Sequence, residues 1–188
     1  MNIPNIGIEK YQIIYADPPW QYRNYNYNTA KRGQEKEYTT MSLDDICTLD
    51  VKSISDDNCI LFMWATFPYL KEALEVIKEW GFRYYSLGFV WVKTYAKSGK
   101  LFWGMGNMTR SNSEICLIGV KGKPKRISAK VHSVIESPVS KHSRKPDEVR
   151  NLIVELMGDL PRIELFSRDK VEGWDCWGNE VESDIELK

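Results

Sequence analysis

The sequence predicts an α/β sandwich built on a mostly parallel sheet. Short apolar runs alternate with segments of helical periodicity along the chain, the pattern of strands joined by crossover helices. Two polar segments, "DPPW" after the first run and "SRDK" after the last, stand where strands should end. In open sheets of this kind ligands bind beyond the carboxyl ends of the strands, so both segments are expected to face one pocket. The 188 residues suffice for a single domain, 1–188, with a sizeable core.

The elements follow in order. Residues 11–16, "YQIIYA", read as a short buried strand. Residues 21–41 are polar, rich in Asn and Tyr and without period, a long loop of the kind that serves as a lid or binding loop. "SLDDI" opens a short helix, with Ser42 as cap and Asp45 three residues on. Residues 58–65, "NCILFMWA", form a second buried strand. In the helix that follows, Leu70, Ala73, Leu74, Ile77 and Trp80 share one face, and Gly81 is the stop. Residues 82–93 and 113–122 are strands, separated by a Gly-rich loop at 94–112 and followed by a basic loop at 122–131. "KPDEVRNLIVELMG" is a helix with Pro146 at its first position, Asp147 and Glu148 at the positive end of its dipole and Gly158 closing it. "RIELF", 162–166, is the last strand.

Composition narrows the function. Net charge is zero, so no whole-molecule field draws the protein onto nucleic acid. The charge is unevenly spread: 121–145 holds eight Lys or Arg against the single acid Glu136, and 172–188 holds six acids against one base. The basic segment reads either as a local phosphate-binding face or as a solvated loop. Four cysteines without CxxC spacing and only two histidines argue against a zinc site, and no metal is expected. Cys59 and Cys116 lie in apolar runs and read as buried thiols. The N-terminus lacks a signal-peptide pattern and no run is long enough to span a bilayer. A cytoplasmic protein with no membrane partner is expected.

The corner Asp17-Pro18-Pro19-Trp20 carries the chemistry. Two prolines make a stiff segment whose backbone offers acceptors without competing donors. An ionised Asp17 is acceptor-only. A carboxylate and a proline carbonyl at fixed separation complement an –NH2 group, and Trp20 supplies a flat face for an aromatic ring. An exocyclic amine on a planar heterocycle fits these features. Two acceptors on its N–H bonds localise the nitrogen lone pair and stabilise the positive charge that develops as it attacks an electrophile. The competing reading is a Pro-Pro turn capped by a packed Trp.

The ordered pieces "YADPPW", "YTTMS", "LFMW", "WVK", "EICLIGVKGKP", "HSRKPDE", "IELFSR" and "GWDCWGNE" resemble the DPPW-type adenine N6-methyltransferases. That family includes the catalytic subunit of the eukaryotic mRNA adenosine methyltransferase and small bacterial and phage DNA adenine methyltransferases. The resemblance runs over roughly residues 11–181. It implies a Rossmann-like methyltransferase sandwich, permuted so that the catalytic motif precedes the cofactor segment. It also implies S-adenosyl-L-methionine as cofactor and in-line methyl transfer to adenine N6.

By the same resemblance, Asp17 and Pro18 hold the target amine and Pro19 and Trp20 complete the wall. Tyr38 falls near the target base. Ser143 and Lys145 fall in the cofactor segment, Lys145 at the cofactor's carboxylate. Arg168, Asn179 and Glu180 meet its ribose. Lys93 ends a strand on the functional side and is a candidate substrate contact, as are Lys123 and Arg126 in the basic segment. Trp64, Trp80 and Trp91 read as core, and Trp174 and Trp177 either as cofactor-pocket walls or as packing. The chain departs from the family in two places: "SRDK" replaces a glycine-rich turn after "IELF", and Asn107 and Met108 stand where many relatives have an aromatic.

DNA is the substrate these features favour, with a target in a duplex flipped out of the stack. Loose or very short sequence preference and steeply salt-dependent affinity are expected. Two alternatives remain: adenosine in RNA, or a catalytically silent subunit that binds nucleic acid and supports an active partner.

Overall fold

The computed structural model describes residues 10–21, 40–106, 108–140 and 144–188. Residues 22–39 of the expected long loop, with Tyr38, lie outside the described residues, as do Asn107 and Ser143.

The apolar runs form one seven-stranded sheet: β1 (Tyr11–Ala16), β2 (Ser55–Ala65), β3 (Arg83–Thr94), β4 (Ser113–Lys121), β5 (Val134–Pro138), β6 (Arg162–Leu165) and β7 (Asp175–Trp177). Their spatial order is β5-β3-β4-β2-β1-β6-β7. β1 pairs in parallel with β2 and β6, β6 with β7, and β3 with β5; only β4 runs against its neighbours, β2 and β3. This is the mostly parallel α/β sandwich expected.

Successive side chains of the central strands serve opposite faces. Ile14 and Ala16 join Leu61, Met63 and Leu165 in one core, under α1 (Leu43–Thr48), α2 (Val51–Ile54) and α3 (Leu70–Glu79). Ile13 and Tyr15 join Ile60, Phe62 and Trp64 in the other, under α4 (Glu148–Met157). Burial on both faces is why these runs are continuously apolar rather than alternating. Trp64, Trp80 and Trp91 are core, and Cys59 and Cys116 are buried free thiols.

The helix ends follow local chemistry. Ser42 Oγ accepts the Asp45 N–H at 3.1 Å and donates to the Asp45 carboxylate at 2.7 Å. Gly81 and Gly158 end α3 and α4 at φ +83° and +95°. Two expectations shift. Pro146 is not the first residue of α4: the helix begins at Glu148 with Asp147 as cap, and the Pro146 carbonyl accepts the Val149 N–H at 3.1 Å. β2 starts at Ser55, three residues before the apolar run, because polar Asp56 and Asp57 can sit on its exposed end. β5 and β7 were not foreseen. Each is short, and β5 is an edge strand with only Ile135 buried.

Among the described residues no helix is long and apolar enough to cross a membrane.

Candidate active site

Parallel β1, β2 and β6 deliver their carboxyl ends to one edge of the sheet, and β3, also parallel to β2, delivers Lys93 there. Antiparallel β4 brings its amino end to the same edge, so Glu114 lies opposite Trp91. These ends line a cleft of about 900 Å³. Asp17, Pro18, Pro19 and Trp20 form part of its wall, with Lys93, Glu114 and Lys145, and with Arg168, Asn179 and Glu180 across the β1–β6 boundary. "DPPW" and the first half of "SRDK", Ser167 and Arg168, share this cleft, whereas Asp169 and Lys170 pair with Arg144 and Asp184 outside it.

The centre of the site is a chain of alternating charges. Lys145 Nζ donates to Asp17 Oδ2 at 2.8 Å and lies 3.3 Å from Glu114 Oε2. Lys93 Nζ pairs with Glu114 Oε1. The Asp17, Lys145 and Glu114 side chains are 26%, 12% and 9% exposed. Two cations and two anions cancel, which lets all four enter a half-buried cleft. Burial works against the Lys145 ammonium, but Asp17 and Glu114 outweigh it and hold its pKa above the ordinary value. Burial likewise raises the Glu114 carboxyl, but Lys145 and Lys93 outweigh it and leave it below its ordinary value. Trp rings back both cations: Lys93 Nζ stands 4.9 Å from the Trp91 ring centre and Lys145 Nζ 5.7 Å from that of Trp64.

The proline corner is more occupied than its lack of N–H groups suggested. The Pro18 carbonyl accepts the Trp20 N–H at 2.9 Å, and the Pro19 carbonyl accepts the Met41 N–H at 3.0 Å. Each carbonyl therefore keeps one lone pair, not two, for a ligand. Asp17 keeps its second oxygen. Trp20 is 8% exposed, stacks on Tyr69 with ring centres 6.0 Å apart, and donates Nε1–H to the Trp64 carbonyl at 3.3 Å. It braces the corner while one surface lines the cleft.

At the end of β6 the missing glycine-rich turn has a substitute. Phe166 holds φ at +61°, a left-handed conformation that L-residues avoid. Its ring is fixed between Trp80, 6.4 Å away and stacked, and Trp177, 5.3 Å away and edge-on. This bend turns Ser167 and Arg168 toward the cleft, where Arg168 Nε lies 3.6 Å from Glu180 Oε1. Behind it, Arg150 grips Glu164 with two bonds of 2.6 and 2.8 Å and reaches Asp147 at 2.9 Å, tying α4 to β6.

Lys123 and Arg126 are not brought to the cleft. They follow the carboxyl end of β4, which antiparallel pairing places at the opposite edge of the sheet. There the Lys123 N–H bonds Asn58 Oδ1 at 2.9 Å, and neighbouring Ile127 meets the Leu156 carbonyl near the end of α4. The basic run from 121 to 145 is thus split between two edges. Trp177 lines the cleft, whereas Trp174 packs against Tyr15 in the second core. Glu114 was missed, although an acid inside the buried run "SEICLIGV" was a visible signal. Phe166 carried no such signal.

Comparison with known proteins agrees with this architecture. The MT-A70 family model matches residues 11–180. The type II methyltransferase M.MunI of Mycoplasma sp is 35% identical, over 95% of this chain and 81% of its own length. An N(6)-adenosine-methyltransferase MT-A70-like protein of Arabidopsis thaliana is 30% identical over 90% of this chain. The human N(6)-adenosine-methyltransferase catalytic subunit METTL3 is 29% identical over 92%. This chain spans only 23% and 28% of those two proteins. With the matched span running from β1 through the "WGNE" segment that closes the cleft, the chain belongs to the MT-A70 family of methyltransferases.

Proposed function

We propose that this methyltransferase moves a methyl group from S-adenosyl-L-methionine to N6 of adenine in DNA, working as a single domain. The observation that carries the proposal is the rigid Asp17–Pro19 corner opening into the cleft beside a string of paired charges. Asp17 has one oxygen held by Lys145 and one to accept an N–H of the amine, and the second lone pair of the Pro18 carbonyl accepts the other N–H. Gripping both N–H bonds raises electron density on a nitrogen that is otherwise a poor nucleophile and offsets the positive charge it gains. Positioning does the remaining work.

The residues present suit the cofactor. Arg168, Asn179 and Glu180 supply donors and acceptors for ribose hydroxyls. Lys145 has a third N–H to offer a carboxylate, and Phe166 and Trp177 give flat apolar surface. S-adenosyl-L-methionine would supply the electrophilic methyl group. Ser143 and Tyr38 keep their proposed roles at cofactor and base from the family resemblance alone. Lys93 is proposed as a substrate contact through the network it shares with Glu114.

DNA is favoured over RNA by M.MunI, a type II methyltransferase that this chain matches over most of its length. The adenosine methyltransferases are matched over about a quarter. Nucleoside mass spectrometry on DNA and RNA from cells expressing the protein tests the reading. N6-methyldeoxyadenosine that disappears with Asp17→Ala is the expected result. N6-methyladenosine confined to RNA, or no methylated purine at all, would overturn it.

A further inference from the structure

With Lys123 and Arg126 at the far edge of the sheet, the nucleic-acid face must be sought at the cleft mouth itself. The loop between β3 and β4 is the strongest candidate. Residues 94–112 hold Lys97, Lys100 and Arg110 and no acid. Their apolar side chains are turned outward: Leu101, Trp103, Met105 and Met108 are all exposed, Trp103 by 67%. Apolar groups of that size in water are costly unless something covers them. Here they stand among positive charges and are continuous with the cleft, since Phe102, Trp103 and Met105 line it.

The loop is anchored rather than loose. Phe102 N–H bonds the Lys93 carbonyl at 2.8 Å, and Lys93 N–H bonds the Asn112 carbonyl at 2.8 Å. Tyr95 packs on Phe102, ring centres 5.2 Å apart, and its hydroxyl accepts the Trp103 N–H at 3.2 Å. The two arms press together at Gly104, where a Cβ would fall 1.7 Å from the Ser111 carbonyl oxygen. Trp103 is therefore rooted through two residues, Tyr95 and Phe102, to Lys93 in the cleft floor. Arg110 returns from the other arm and sets its guanidinium 5.0 Å from the Trp103 ring centre.

We propose that Trp103, backed by Arg110, is a stacking platform for a base adjacent to the target adenine in the bound strand. The Trp ring offers sequence-tolerant area, because every base has a π-face. Arg110 holds the ring and puts a charge beside the phosphate that follows. Aromatic area and positive charge on one acid-free loop match a single polyanionic strand of bases; a purely apolar partner would not require the three cations. The inference rests on the nucleic-acid reading above and names the part of the chain that would hold the strand.

Anisotropy titration of a labelled single-stranded oligonucleotide with one adenine tests it, using the full chain. Trp103→Ala should weaken binding roughly tenfold, and Trp103→Phe should restore most of the loss. An abasic residue beside the adenine should weaken the wild type similarly but cost Trp103→Ala nothing further. Arg110→Ala should lower the dependence of affinity on salt by about one charge. Equal abasic penalties in wild type and Trp103→Ala would overturn the platform, as would unchanged binding by a Trp103→Ala protein with wild-type circular dichroism. The readout needs no turnover. A wild type that binds with these couplings yet leaves DNA adenine unmethylated overturns the proposed reaction and leaves the platform standing.

Discussion

Lys145 Nζ and Asp17 Oδ2 meet at 2.8 Å although 128 residues separate them in the chain. The contact joins the segment before α4 to the corner after β1. It couples the residue proposed to hold the target amine to one proposed to hold the cofactor. Removing either should therefore disturb more than its own ligand.

Asp17→Asn keeps the shape and loses the charge. Turnover should fall by about two to three orders of magnitude, the scale of losing one oriented transition-state partner. Cofactor affinity should change too, through the Lys145 contact, but by only a few fold, because the asparagine oxygen can still accept from the ammonium. Radiolabelled methyl transfer together with calorimetric titration of S-adenosyl-L-methionine separates the two effects.

Lys145→Met removes the shared cation and leaves Asp17 without its bond and Glu114 with Lys93 alone. Stability should drop by roughly 3 kcal/mol, seen as a shifted urea midpoint, along with weakened cofactor binding. A variant that loses cofactor binding at unchanged stability would show that the Asp17 contact contributes nothing to the fold.

Glu114 should leave a signature in acid. Its folded pKa lies below the ordinary value, so its contribution to stability is present above the unfolded value, about 4.3, and is lost as pH falls through the folded one. Lys145 is shifted upward, so its contribution is present below about 10.4 and is lost only as pH rises through the folded value. Glu114→Gln should cost about 2 kcal/mol at neutral pH. The gap from wild type should shrink as pH falls from the unfolded value, about 4.3, through the lower folded one, because the unfolded glutamate takes up its proton first and the folded one only below that. Denaturant midpoints across the acid range supply the check.

Arg150 and Glu164 form a buried bidentate pair. Glu164→Leu alone should destabilise by about 3–5 kcal/mol, because Arg150 is left buried with only Asp147. The double variant Arg150→Met, Glu164→Leu should recover most of that loss. Thermal denaturation of the four proteins completes the cycle.

Phe166 sits at φ +61° between Trp80 and Trp177. Both Phe166→Ala and Phe166→Gly lose the ring packing, but only glycine relieves the backbone. The glycine variant should be the more stable of the two by about 1 kcal/mol. The opposite order would mean that the strain is not carried at this residue.

The long central elements were legible because their signals are local. Burial of β1, β2 and β4 on two faces shows as unbroken apolar runs, α3 and α4 show as helical periodicity ending at glycine, and the Ser42 cap shows as its own short pattern. The short edge strands β5 and β7 were not legible. Five and three residues with little burial carry almost no period, and they form because a neighbouring strand offers them hydrogen bonds.

The amino-acid order alone determined that the first strand ends in a stiff corner of acceptors, proposed to carry the chemistry, since an acid followed by two prolines has these properties wherever it lies. Only the tertiary structure decided what surrounds that corner. Strand direction is a property of pairing, and the reversal of β4 moves Glu114 into the cleft while carrying Lys123 and Arg126 to the other edge. Charges close in sequence were separated, and Asp17 and Lys145, distant in sequence, were joined, because the sheet sorts residues by the end of the strand they occupy.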